Sequence, residues 1–200
     1  PMGTDCAPFL ANLFLYYYEW QFMDRLIKAK DYSTAMKFNK TWRYIDDLFT
    51  LNNDGRMNEL MSDVYPPELQ LNKENCDDSS TSFLDLAISI RDEQVVHTLY
   101  DKRGDFKFAI VNFPFLCGNV VPHNAYGVFT GQLIRYANAC MDMFSFIDRA
   151  RALIHKLVRQ GFLIRKLTRT FDVFYERHFF SVSKYGKSMR DLRAFLFCQV

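Results

Sequence analysis

The chain has 200 residues, of which 49% are apolar and 24% charged, and its formal net charge is +2. This length predicts one large domain or two small ones with an ample core. Five scattered cysteines without a Cys-x-x-Cys pair exclude a disulfide framework and a zinc site, and they fit a reducing intracellular compartment, nuclear or cytoplasmic. Because no stretch approaches ~20 apolar residues, we expect no transmembrane helix, no signal peptide and no membrane partner.

The charge is unevenly distributed along the chain. Residues Asp148 to Arg193 hold 12 Lys or Arg against 4 Asp or Glu, a balance of +8, whereas the remainder holds 13 against 19, a balance of −6. This asymmetry indicates an anionic polymer bound by the C-terminal third and a metal bound by the front. Solvated faces of basic helices are the alternative.

A long helix is predicted from about Pro8 to Lys30, because proline suits a first helical turn and apolar residues recur at helical spacing. We expect its aromatic run, Phe9 to Trp20, to be core rather than a stacking surface. A polar connector is predicted from Asp31 to Lys40.

Two adjacent carboxylates follow, between two short runs of aromatic and branched residues. Trp42 to Ile45 predicts one strand and Leu48 to Leu51 the next, so that Asp46 and Asp47 are left to make a tight turn. Such a tip carries two hard oxygen ligands of the kind that Mg²⁺ prefers. A plain polar turn is the alternative.

The middle of the chain predicts a helix and more strands. Asp54 to Val64 has a helical pattern, and Leu69 to Leu71 is expected to be a short strand. Phe83 to Ile90 alternates as a strand does, Arg91 to Glu93 is expected to turn the chain, and Gln94 to Tyr100 is its partner strand.

Beyond Pro122 the pattern predicts helices alone, over residues 124–141, 146–160, 163–179 and 188–197. The third has an apolar stripe and, on its other side, three cations, which are Arg165, Lys166 and Arg169. Breaks at Pro114 and Gly118 place the expected domain boundary between residues 117 and 118, which gives domains 1–117 and 118–200.

Several segments resemble motifs of reverse transcriptases, most closely those of Penelope-like retroelements. Tyr44 to Asp47 (Tyr-Ile-Asp-Asp) resembles their Tyr-x-Asp-Asp box, and Pro1 to Pro8 resembles the loop and helix that precede it. Phe83 to Leu86, followed by Thr98-x-Tyr-x-Lys, is similar to the end of the palm. Gly131 to Arg135 (Gly-Gln-x-x-Arg) is similar to the start of the thumb. The resemblance is dense to about Pro114 and thinner beyond.

The resemblance implies an α+β fold, in which a partial polymerase palm of antiparallel sheet and helices precedes an all-α thumb bundle. It implies RNA-directed DNA synthesis from dNTPs, on an RNA template and a DNA primer. Two Mg²⁺ ions, for which Mn²⁺ can substitute, would be held by Asp46 as the firm ligand and Asp47 as the supporting one.

Other site residues follow from the same resemblance. Met2 and Gly3 would lie against the incoming nucleotide. Tyr44, two residues before Asp46 and so expected on the same strand face, would touch the primer terminus. Lys73 is a candidate general acid for the pyrophosphate leaving group, although an exposed lysine is the alternative.

Four further residues are candidates for the primer or template. Lys102 and Arg103 lie in a basic loop with aromatic neighbours, which favours phosphate contact or a plain surface turn. Gln132 and Arg135 are i, i+3 on a helix and so expected to meet one backbone strand together, with a salt-bridged helix surface as the alternative.

One departure from the family pattern limits the expected activity. Reverse transcriptases hold their metals with a third Asp on a palm strand, which would lie before Pro1, as would the fingers. We therefore expect these 200 residues to be inactive alone. The alternatives are a nucleic-acid-binding or protein-interaction remnant without catalysis, and a metal-dependent phosphohydrolase or nuclease that uses the Asp pair.

Overall fold

The computed structural model describes residues 5–51, 57–74, 77–108 and 110–198. Within these ranges, only the backbone is described for residues 57, 58 and 104. The chain divides into two compact units, Pro1–Glu74 and Asn75–Val200. Both combine helices with a small antiparallel sheet, so the α+β expectation is confirmed at that level.

The first unit begins with helix α1, Ala7–Lys28, which has a proline in its first turn as expected. The predicted polar connector is instead mostly helical, with α2 at Tyr32–Lys37 and a 3-10 segment at Phe38–Lys40. Asp31 caps α2, because its Oδ1 accepts a hydrogen bond from the Thr34 amide at 3.1 Å. An aspartate before a helix is a capping signal, and Asp31 therefore indicated a helix in a segment that its polar composition alone had assigned to a connector.

Two strands and a helix complete the described part of this unit. They are β1 at Thr41–Tyr44, β2 at Asp47–Thr50 and α3 at Met57–Val64. The predicted start of this helix at Asp54 lies outside the described residues. The short strand expected at residues 69–71 is wrong, since that segment has irregular backbone after α3.

The core of the first unit is small, and most of α1 lies outside it. Its buried members are Phe22, Met61, Val64 and Tyr65. The aromatic run of α1 was expected to be core, but it is largely exposed, with Phe9 at 69% and Trp20 at 51%. Helical spacing identified the helix correctly, but apolar residues occur on too many of its sides for one small core to cover.

The second unit contains a three-stranded antiparallel sheet in the order β3-β4-β5. The strands are Ser80–Phe83, Leu86–Arg91 and Gln94–Leu99. The strand predicted from Phe83 to Ile90 is therefore two strands, divided by a two-residue turn at Leu84 and Asp85. Alternating hydrophobicity persists across such a turn, which is why the pattern concealed it.

After a 3-10 helix at Lys102–Asp105, five α-helices follow within the described residues, and four of them lie close to the predicted positions. They are α4 Pro122–Ala139, α5 Met143–Arg159, α6 Ile164–Arg177, the short α7 Phe179–Ser183 and α8 Met189–Phe197. Asp142 caps α5 and Ser188 forms a capping box with Asp191 on α8. Gly161 follows α5 with φ +90°, a left-handed conformation that glycine commonly takes where a helix ends.

The sheet and these helices share one core, and this moves the expected domain boundary. Leu99 of β5 and Phe113 are buried in the same cluster as the helical phenylalanines. The Gln160 side chain, itself buried, donates from Nε2 to the Phe113 carbonyl at 3.0 Å. The predicted division between residues 117 and 118 thus falls inside the second unit, and the structure divides instead at Glu74. Within the part of the chain described, no helix is both long and apolar enough to cross a bilayer.

Phenylalanines on α6 and α7 provide a matched test of the helical core. Phe171 is completely buried and Phe180 is 91% exposed. We expect Phe171→Ala to lower the free energy of unfolding by about 3–5 kcal/mol, because truncation leaves a cavity. Phe180→Ala should change it by less than about 0.5 kcal/mol. Urea unfolding followed by far-UV circular dichroism checks this, and equal losses in the two variants would contradict the packing described.

Candidate metal centre

The turn that carries the candidate carboxylates is displaced by one residue from the prediction. Tyr44 pairs with Asp47 in the β1–β2 register, so the two-residue turn consists of Ile45 and Asp46. Asp47 is the first residue of β2. Ile45 has φ +53°, a left-handed conformation that is unusual for a β-branched residue. Backbone strain of this kind is concentrated at functional sites and requires support from its surroundings.

Both carboxylates are available to a ligand. Asp46 and Asp47 are exposed, and neither side chain has a hydrogen bond or ion pair within the described residues. Their oxygens are the donors that Mg²⁺ takes, so the residues fit the expected metal in kind. They do not form a complete cage, since no cluster of three acidic, His or Cys side chains occurs in the described ranges.

The two faces of the hairpin differ in character. Cross-strand partners share a face, which places Tyr44 and Asp47 together with Trp42 and Phe49. The Trp42 and Phe49 rings stack with centroids 5.8 Å apart, and Tyr44 is 55% exposed. Tyr44 was expected to share its face with Asp46; the shifted turn makes Asp47 its neighbour instead.

On the opposite face, Arg43 ties the hairpin to helix α1. Its Nε donates to Glu19 Oε1 at 2.5 Å, its Nη2 to Glu19 Oε2 at 3.3 Å and its Nη1 to Asn12 Oδ1 at 2.7 Å. Nη1 also donates to the Ile45 carbonyl at 3.2 Å, so the guanidinium holds the backbone of the strained turn. Tyr65 adds a hydrogen bond from its hydroxyl to Glu19 Oε1 at 2.7 Å.

This network is largely shielded from solvent, and its electrostatics follow from that. The Arg43 side chain is 14% exposed. Its hydrogen bond to Glu19 raises the pKa of the guanidinium above the ordinary value. Burial, with a smaller contribution from the bond to Glu19, raises the pKa of the Tyr65 phenol. Arg43 thus stays charged and Tyr65 neutral, and Glu19 is the acceptor for both.

Sequence reasoning missed Arg43, Glu19, Asn12 and Tyr65 as parts of the site. The available signal was the alternation of β1, in which Arg43 occupies the position between two outward aromatic residues. A cation at an inward-facing position requires an anion on the element packed below it. Nothing in the sequence indicates which residue of α1 supplies that anion.

The β3–β4 hairpin of the second unit repeats the same turn. Leu84 has φ +54° and Asp85 follows it, as Ile45 and Asp46 do in the first hairpin. Here the carboxylate is engaged, because Arg135 of α4 donates from Nη2 to Oδ1 at 2.5 Å and from Nε to Oδ2 at 2.9 Å. Arg135, predicted to contact nucleic acid, therefore connects a helix to a turn.

The other residues predicted to contact nucleic acid differ in their exposure and in their partners. Arg103 forms a fork with Asp101, with both bonds at 2.6 Å, and lies over the Phe113 ring at 5.9 Å. Hydrogen bonding to Arg103 lowers the pKa of Asp101, and the guanidinium of Arg103 is paired with this carboxylate. Lys102 is exposed. Gln132 is half-buried, and its Oε1 accepts no hydrogen bond from the residues that the structure describes.

The structure says less about the three remaining candidates, Lys73, Met2 and Gly3. Lys73 is exposed in the irregular segment after α3. Met2 and Gly3 lie outside the described residues.

A further set of exposed cations lies on α5 and α6. The apolar stripe of α6 is buried at Leu167, Phe171 and Phe174, as predicted. Arg165 and Arg169 are exposed, as is Arg159 at the end of α5. In the described part of the chain none of these three arginines has an acidic partner.

Comparison of the chain with models of protein families, with curated proteins and with solved structures found no match in any of the three.

Proposed function

We propose that this chain is part of an RNA-directed DNA polymerase of the Penelope-like type, in which Asp46 and Asp47 supply carboxylates for nucleotidyl transfer. The observation that carries the proposal is a pair of exposed carboxylates at a strained turn, for which the described residues supply no hydrogen bond or ion pair. That turn has the sequence Tyr-Ile-Asp-Asp and is supported from below by a shielded arginine.

In this proposal the first unit supplies a portion of the palm and helices α4–α8 supply the thumb. The β3–β5 sheet then belongs with the thumb helices, since it shares their core. RNA template, DNA primer and dNTPs are the partners, and Met2 and Gly3 stay candidates for the nucleotide.

The roles of the hairpin side chains follow from its geometry. Asp46 at the turn and Asp47 at the start of β2 would hold Mg²⁺. Bound metal would lower the cost of the negative charge that develops on the entering and leaving oxygens. Tyr44, which lies opposite Asp47 and is half exposed, would contact the primer terminus beside the carboxylates. Arg43 keeps the turn in position.

A second function is favoured by a separate observation, the three exposed arginines of α5 and α6. A helical surface whose cations have no acidic partner among the described residues is suited to bind phosphate backbones through counterion release, whether or not catalysis occurs. A nucleic-acid-binding protein derived from a reverse transcriptase is thus the alternative to a polymerase.

Asp46→Asn tests the catalytic assignment in a polypeptide that joins this chain to segments supplying fingers and a further catalytic Asp. We expect primer extension to fall by at least about a hundredfold, because a metal ligand is lost, while binding of the primer–template stays within about twofold. Asp92→Asn, at an exposed turn of the β4–β5 hairpin, is the matched control and should extend normally. An unchanged extension rate in the Asp46 variant would contradict the assignment.

The 200-residue chain by itself is expected not to extend a primer. Two carboxylates on one hairpin leave most coordination positions of two metal ions without protein ligands. Gel-based extension assays with Mg²⁺ or Mn²⁺ check this, and metal-dependent extension by the purified chain would show it to be wrong.

Charge reversal on α6 tests the binding surface. Arg165→Glu with Arg169→Glu should weaken duplex binding and reduce the salt slope of the binding constant by about 2, since each arginine accounts for about one phosphate contact. Reversal of two exposed cations elsewhere, Lys30 and Arg91, serves as the control. Fluorescence anisotropy over a range of salt concentrations gives both quantities, and equal slopes in the two double variants would place the contact surface elsewhere.

A further inference from the structure

The Ile45–Asp46 and Leu84–Asp85 hairpin turns both begin with an aliphatic residue of positive φ. They differ in whether the aspartate that follows is paired with an arginine. Asp85 follows a residue with φ +54° and is neutralised by the Arg135 fork. Asp46 follows a residue with φ +53°, and no cation of the described residues pairs with it. An arginine is nevertheless close to it in the chain, since Arg43 lies three positions earlier.

Arg43 makes its hydrogen bonds to helix α1 and to the backbone of the turn, where Nη1 donates to the Ile45 carbonyl at 3.2 Å, and not to the carboxylates. Glu19 accepts two of its hydrogen bonds, at 2.5 and 3.3 Å, and Asn12 accepts another at 2.7 Å. The guanidinium lies on the face of the hairpin opposite to that of Tyr44 and Asp47. The Glu19 side chain is 29% exposed, so its charge interacts with the arginine in a partly desolvated setting.

We propose that Glu19 is a positioning residue that keeps Arg43 away from Asp46 and Asp47, so that this carboxylate pair stays open to a divalent cation. The inference deepens the proposed function and rests on its assignment of the metal to these two residues. Without Glu19 the guanidinium carries an uncompensated charge beside the turn. It then repels an incoming divalent cation and competes with it for the same oxygens.

The experiment measures Mn²⁺ binding to the full 200-residue chain by electron paramagnetic resonance, with no need for catalysis. The reference is Asp46→Asn with Asp47→Asn, which identifies the binding that belongs to the hairpin. Glu19→Gln should raise the Kd of that site about tenfold, the effect of one uncompensated charge on a divalent cation at close range. Asp24→Asn is the matched control, because it removes an α1 carboxylate paired with Lys28 at 2.7 Å, and it should leave the Kd unchanged.

A rescue distinguishes electrostatic positioning from simple support of the fold. Adding Arg43→Gln to Glu19→Gln removes the released cation together with its hydrogen bond to the turn, and the Kd should fall at least about threefold below that of Glu19→Gln alone without reaching that of the unmodified chain. If Glu19 acted only by holding the structure together, the double variant would bind at least as weakly as the single one. That outcome, or an unchanged Kd in Glu19→Gln, overturns the inference.

Two arrangements keep the test decisive. Absence of binding that depends on Asp46 and Asp47 in the unmodified chain overturns the metal assignment of the proposed function itself, before Glu19 is considered. If Glu19→Gln is unfolded by circular dichroism, Glu19→Met/Arg43→Met is compared with Glu19→Met/Arg43→Lys, which differ in the charge at position 43. The lysine variant should bind about tenfold more weakly, and equal affinities overturn the inference.

Discussion

The ion pair between Arg43 and Glu19 is the interaction on which the candidate site depends. It joins β1 to α1, and the same guanidinium holds the carbonyl of Ile45, whose backbone is strained. A shielded ion pair adds little net stability when compared with apolar residues of the same size, but breaking it from one side is costly. Its contribution here is therefore geometric. It fixes the position of a turn that the backbone of an isoleucine would not adopt unaided.

Each of the two units is held together by a different kind of interaction. In the second, completely buried aromatic residues on α4, α5 and α6 form a continuous core, and side chains cap the N-termini of α5 and α8. In the first, four buried residues form the core, and polar contacts supply much of the connection between elements. The Arg25 Nη2, for example, donates to the Asp63 carbonyl at 3.1 Å and links α1 to the end of α3. The site is thus located in the unit with the smaller core.

The sequence was most informative where one pattern dominated. Helices α4, α5, α6 and α8 followed from apolar periodicity, and the hairpin at Asp46 followed from two short strand patterns. Errors arose at two-residue turns, where Ile45 and Leu84 take conformations that their residue types do not favour, so composition gave no signal. The partners of Arg43, Arg103 and Arg135 were also missed, since an ion pair is chosen by packing between elements. The aromatic run of α1 shows a further limit of sequence analysis. Apolar spacing identifies a helix, but it does not determine how much of the helix surface is buried by other elements.

The positions of the two tryptophans have a consequence for spectroscopy. Trp20 on α1 and Trp42 on β1 are the only tryptophans of the sequence, and both belong to the first unit. Intrinsic tryptophan emission therefore reports on the hairpin and its helix, whereas far-UV ellipticity is weighted toward the helices of the second unit. Recorded on one sample, the two signals resolve the unfolding of each unit separately. The stacked indole of Trp42, on the same face as Asp47, also gives an optical probe of metal binding without any label.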